Sequence, residues 1–168
     1  MNKSYKGFTL IELLLVIGII AILAAIVIVA INPTKQLGDA RDAQRRSDVN
    51  TILNAVWQFA IDNNGSMPCD PAGDDCVDGN WRQLGAATTE CDDLENNCSG
   101  YTVEDDCLEL RALSGTYLVN IPADPRYATG STGLAASSET SYVIRSVSNR
   151  VTVEACNPEQ DSEVAVTR

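Results

Sequence analysis

Residues 6–14, K-G-F-T-L-I-E-L-L, pose the question on which the architecture turns: a carboxylate, Glu12, stands near the start of a segment otherwise suited to lipid. Residues 8–31 are 24 in number, and Glu12 is their only ionisable side chain. A helix of that length crosses a hydrocarbon core of about 30 Å. A carboxylate inside such a segment costs roughly 2.5–3.5 kcal/mol on insertion scales, less near the boundary, which implies a partner or a task for it.

The charge balance narrows the function classes. The chain of 168 residues has a formal charge of −11; without its first seven residues it carries 10 basic against 23 acidic side chains, a net of −13. Phosphate-backbone affinity rests on clustered Lys and Arg, so no nucleic-acid partner is expected. The chain contains no histidine. That removes the commonest general base and every Ser-His or Cys-His nucleophile pair, so the chain is not expected to be an enzyme.

Six cysteines, Cys69, Cys76, Cys91, Cys98, Cys107 and Cys156, all lie beyond the apolar segment. An even count in the water-soluble part of a membrane-targeted chain predicts three disulfides in an oxidising compartment. The C-x2-C pairs of a zinc site are missing. Local pairing, Cys69–Cys76 and Cys91–Cys98, is the economical choice and leaves Cys107–Cys156, although six cysteines permit many pairings and the sequence does not select among them. Basic residues flank the apolar segment on both sides, so orientation rests on the cysteines.

The apolar segment ends at Asn32-Pro33, where Asn can cap a helix and Pro suits a first turn, so the helix is expected to kink or restart at Pro33. From Thr34 onward Val49, Ile52, Leu53, Val56, Trp57 and Ala60 recur at the spacing of one helical face. Lys35 with Asp39, and Asp42 with Arg46, place opposite charges four apart, as on a solvated helix surface. Asp62-Asn63-Asn64-Gly65 ends the run. Taken together, residues 8 to about 62 predict about 80 Å of helix.

Residues 66–107 are acidic, rich in Asn and Gly, and without sustained period, which predicts an irregular region held by covalent links. A short helix is expected over 104–113, an ordered turn at the two prolines of I-P-A-D-P (121–125), and a polar loop over 129–141. Two β-rich runs within 142–156, separated by Ser148-Asn149, predict a hairpin. The fold class is therefore α+β: a long N-terminal helix, membrane-spanning in its first half, on a small antiparallel sheet with disulfide-linked loops. The expected parts are a leader (1–7), a membrane or filament-core helix (8–31), an amphipathic continuation (32–64) and a globular head (65–168).

At G-F-T-L-I-E the sequence resembles the class III signal and first helix of type IV pilins and type II secretion pseudopilins. The features that carry the likeness are Lys3 and Lys6, Gly7 before the cut, Phe8 as the new N-terminus, and Glu12 four residues on. The resemblance implies cleavage between Gly7 and Phe8 by a membrane-bound prepilin peptidase and methylation of the Phe8 amine. It implies storage in the cytoplasmic membrane with the C-terminal domain outside the cytoplasm, and homo-polymerisation through the N-terminal helices by a pilus or secretion assembly machinery. Glu12 is then expected to face the Phe8 amine of an adjacent subunit, a pairing that low dielectric strengthens. Its own chain's amine, about 6 Å away along the axis, is the local alternative.

Major pseudopilins bind calcium near their equivalent of the I-P-A-D-P turn, and Asp124 matches its aspartate. The downstream aspartate-bearing segment is not recognisable here, so no cofactor is expected, with Asp124 a bare calcium candidate. The oxygen-rich run 69–80 is not an EF-hand: counted from Asp74, Cys76 and Gly85 stand where ligands belong. The competing function is a monomeric, membrane-tethered extracytoplasmic binding protein with an acidic domain.

Overall fold

The computed structural model describes residues 7–70, 76–85, 107–126, 139–161 and 163–168. The chain forms two compact units, Met1–Leu37 and Gly38–Arg168; the second is called the head below.

In the first unit, α1 (Leu10–Ile31) buries none of its 22 residues, and it is long and apolar enough to cross a membrane. Its Leu, Ile, Val and Ala side chains offer nothing to compete with the backbone, and in lipid an intrahelical hydrogen bond is the only partner a peptide group can find. Asn32 stops it by taking the left-handed conformation (φ 46°, ψ 79°). A residue before proline is pushed out of the helical region, and Asn tolerates the left-handed one. The Asn32 side chain then accepts from Thr34 Oγ1 at 2.8 Å and Lys35 N at 3.5 Å, so the chain restarts at once as α2 (Pro33–Asp62).

Within the head, α2 presents Val49, Ile52, Leu53, Val56 and Ala60 as a buried stripe, with Trp57 half-buried beside it. Gly65 ends the helix: its φ is 88° and its N–H reaches back to Ala60 O at 2.7 Å, the left-handed terminator expected of N-N-G. The stripe packs on a four-stranded antiparallel sheet of order β1-β2-β3-β4: β1 (Arg82–Gly85), β2 (Glu139–Val147), β3 (Arg150–Ala155) and β4 (Ala165–Thr167). Tyr142 and Ile144 of β2 with Val151, Val153 and Ala155 of β3 point into this core, joined by Leu84, Leu108, Leu110, Leu113 and Ile121. The architecture is α+β and pilin-like.

The hairpin lies where the sequence placed it. Ser148 (φ 51°) and Asn149 (φ 60°) both take positive φ, the two-residue turn whose twist matches the flanking strands. Cys69 and Cys76 are joined by a disulfide. Cys107 and Cys156 are each disulfide-bonded as well; the pair expected between Cys91 and Cys98 lies outside the described residues.

Three expectations change. The described part of the helix expected over 104–113 is instead an extended piece followed by a turn: Leu108 bridges β1 at Leu84, with Leu108 N bonded to Gln83 O at 2.8 Å. Residues 107–110 are all buried, and an extended strand between layers can bury every side chain where a surface helix cannot. The region expected to be irregular supplies β1, and the polar loop gives way to β2 from Glu139. Ser141, inside β2, has φ 61° beside a break in register where β2 takes four steps, Glu139 to Val143, against two of β1, Gln83 to Gly85, a bulge that interrupts the regular alternation.

Candidate processing and assembly segment

Gly7 is exposed, and a Cβ built on it meets nothing within 4 Å; Phe8 is 81% exposed. The peptide bond between them is open to an enzyme. Thr9 caps α1 in extended conformation, and Glu12, at the third helical position, closes a reciprocal box with it. Glu12 Oε2 accepts from Thr9 N at 2.8 Å and Thr9 Oγ1 at 2.7 Å, while Glu12 N donates to Thr9 Oγ1 at 3.3 Å. This box satisfies orphan donors of the first turn. Its signature, T-L-I-E, stands in the sequence, and the expectation that Glu12 serves an amine overlooked it. The box also survives cleavage, because the Thr9 N–H remains an amide when Phe8 becomes the N-terminus.

One oxygen, Glu12 Oε2, makes both side-chain contacts. Freed from the leader, the Phe8 amine would put a positive charge against the positive end of the α1 dipole, an arrangement that a nearby carboxylate relieves. Glu12 is the only acidic side chain in the first turn. Pro33, the expected kink, begins α2.

Asp124 belongs to the head, in a buried charge cluster that the sequence did not reveal. Arg45, whose side chain is completely buried, donates from Nε to Asp124 Oδ2 at 2.7 Å and from Nη2 to Asp124 Oδ1 at 2.8 Å, a bidentate fork. Its Nη1 meets Asp42 Oδ1 at 2.6 Å, and Nη2 also reaches Glu159 Oε1 at 3.2 Å. Asp42 in turn accepts the backbone N–H groups of Glu159, Gln160 (2.6 Å) and Asp161 (3.0 Å). Arg41 pairs with Glu159 and Arg46 with Asp161. The solvated Asp42–Arg46 pair expected on α2 is thereby corrected: Asp42 is buried against Arg45 and the 159–161 segment, and Arg46 reaches across to Asp161.

Burial by itself would raise the Asp42 pKa, but the three N–H groups and Arg45 outweigh it and hold the carboxyl at about 2. Arg41 holds Glu159 below the ordinary range. Asp48 goes the other way: burial raises it, partly offset by the Tyr142 hydroxyl at 2.9 Å and Gln44 Nε2 at 2.8 Å.

These directions fix an acid response. Because Asp42 titrates lower in the folded head than in the unfolded chain, its contribution is complete above about pH 4 and disappears as pH falls toward 2, a loss of about 2 kcal/mol. Glu159 acts in the same sense. Asp48, raised on folding, is best tolerated when protonated and offsets part of the loss. Urea titrations between pH 5 and 2.5, followed by tryptophan fluorescence, should show the midpoint dropping, and Asp42→Asn should flatten that drop. An unchanged slope in Asp42→Asn would remove Asp42 as its source.

The family model of the prokaryotic N-terminal methylation motif matches residues 2–28. The chain therefore carries the class III signal of type IV pilins and pseudopilins. This signal implies processing by a prepilin peptidase, and together with α1 it fits membrane anchoring. No curated protein and no solved structure matches the chain. The motif covers the leader and most of α1, so the head speaks only through its own geometry.

Proposed function

We propose that the chain is a structural subunit, cut between Gly7 and Phe8, methylated on the Phe8 amine, and polymerised through α1 into a type IV pilus or pseudopilus. The observation that carries this reading is the methylation motif lying over a helix with no buried residue. Such a helix must find lipid or other copies of itself, and a filament core offers the second. Before assembly the cytoplasmic membrane holds α1 and the head stands outside the cytoplasm, where the Cys69–Cys76 disulfide persists. The subunit carries out no catalysis; its partners are other copies, the peptidase and the assembly machinery.

Mass spectrometry of the N-terminus tests the reading, with negative-stain microscopy of sheared surface material. A methylated Phe8 and fibres lost on deletion are expected. A retained Met1 without fibres would make the chain a plain membrane-tethered protein and end this proposal.

The proposal includes no calcium ion at Asp124. Both its carboxylate oxygens are already engaged by Arg45, and Oδ1 also accepts Arg126 N at 2.9 Å. A divalent cation there would stand against a buried guanidinium. Millimolar calcium is expected to leave the unfolding midpoint of the full chain unchanged; a clear rise would restore the calcium reading.

A further inference from the structure

Acidic residues outnumber basic ones 23 to 12, and most arginines in the head are matched to carboxylates. Arg41, Arg45, Arg46, Arg82, Arg111 and Arg126 each lie within ion-pair reach of an Asp or Glu. Arg168 donates to Asn54 Oδ1 at 2.7 Å. Arg145 and Arg150 stand apart: neither meets a carboxylate among the described residues, and Arg150 is exposed.

Strand register brings these two together. Arg145 pairs with Thr152, Val147 with Arg150, and Thr152 with Thr167, so all five share one sheet face, away from the core side chains Ile144, Val151 and Val153. With Ser148 they line a cleft of about 410 Å³. The Arg145 guanidinium lies 4.1 Å from the centroid of the Trp81 ring, which orients the cation without neutralising it. Val147 is 47% exposed between the charges. Two cations around an apolar residue, one of them oriented on Trp81, suit a protein surface that brings carboxylates.

We infer that this cleft receives carboxylates of a second copy of the chain, an inference that rests on the filament reading. Charge complementarity selects that occupant. Each copy carries an excess of acid, and among the described residues Glu154 and Glu163 have no hydrogen-bond or ion-pair partner. A nucleic acid would approach a chain of charge −11 against repulsion. A neighbouring subunit arrives at the high effective concentration that polymerised helices impose.

The test uses the full chain carrying Arg145→Lys and Arg150→Lys, made in cells moved midway from light to heavy nitrogen medium so that both isotopic forms share one membrane. Membranes and sheared filaments are treated with a water-soluble carbodiimide. The reagent adds to a carboxylate oxygen as an O-acylisourea, the introduced amine attacks its carbonyl carbon to form an amide, and the bond to that oxygen breaks as the oxygen leaves in the urea by-product. Mixed-isotope peptides joining position 145 or 150 to an Asp or Glu of another copy are expected, absent at 0.5 M salt. Arg145→Glu with Arg150→Glu should lower filament yield at least fivefold while the tryptophan-monitored unfolding midpoint stays near wild type.

Absence of mixed-isotope links at either position in both fractions overturns the inference, as does normal yield from the double glutamate chain. In either case wild-type fibres leave the filament reading standing. Links in membranes from cells that make no fibres would keep the cleft as a contact between copies and sink the filament reading instead. Retention of the wild-type chain on DNA or an acidic polysaccharide through these arginines, without copy-to-copy links, would assign the cleft to a polyanion and overturn the inference.

Discussion

Replacing Arg45 with alanine is expected to cost the head about 3–5 kcal/mol, a large share of what a domain of this size possesses. The guanidinium is fully buried and makes four contacts of 3.2 Å or less to three carboxylates, two of which, Asp42 and Asp124, are themselves buried. Removing it strands negative charge in a medium that cannot hydrate it. Arg45→Lys should recover little, because a single ammonium cannot reproduce the fork to Asp124 while reaching Asp42.

The double change Arg45→Met with Asp124→Leu should recover more than either residue altered alone, because with the cation it removes one of the two buried carboxylates otherwise left stranded, while Asp42 keeps its three backbone N–H groups. Both tryptophans of the chain, Trp57 and Trp81, lie in the head. Urea unfolding of the full chain in detergent, followed by their fluorescence, therefore reports this domain and not α1. A loss under about 1 kcal/mol for Arg45→Ala would show that the cluster is not what ties α2 to the 159–161 segment.

Glu12→Gln is expected to reduce fibre yield by a factor on the order of 100 or more, while leaving α1 and membrane insertion intact. Glutamine serves in the capping box as glutamate does, so the start of the helix keeps its reciprocal bonds to Thr9. What the change deletes is the charge. In the proposed filament that charge meets a Phe8 amine of another copy in an apolar core, and losing one partner of a buried pair costs about 3–5 kcal/mol per contact. That range corresponds to roughly two to three or more powers of ten in an association constant.

Thr9→Val makes the complementary experiment. It breaks the side-chain half of the box and keeps the acid, so fibres should persist, with a helix start weaker by about 1 kcal/mol. Shear yield measured by immunoblot, beside membrane content of the same cells, separates assembly from insertion. Normal fibres from Glu12→Gln would reduce Glu12 to a cap and remove electrostatic registration from the proposal.

Much of this molecule is written in short-range chemistry. The apolar helix, its interruption at Asn32-Pro33, its second ending at Asn64-Gly65 and the Ser148-Asn149 turn depend on φ preferences and hydrogen bonds within a few residues. Each follows from the residues present. The box of Thr9 and Glu12 is equally local, and was legible from T-x-x-E.

The burial of Asp42 and Arg45 was not legible. Both sit on α2 among charges that suit an exposed face, and their partners, Asp124 and Glu159, lie 79 and 114 residues from Arg45 along the chain. The same holds for Leu108, pulled straight by the backbone of β1, and for the pair Arg145 and Arg150, set on one face by strand register. The sequence by itself determined which segment is long and apolar enough to cross a membrane and where the helices start and stop, because those choices are settled between near neighbours. Only the tertiary structure decided which charges are buried, which are paired and which remain open, because the cost of removing a charge from water depends on what distant segments bring to meet it.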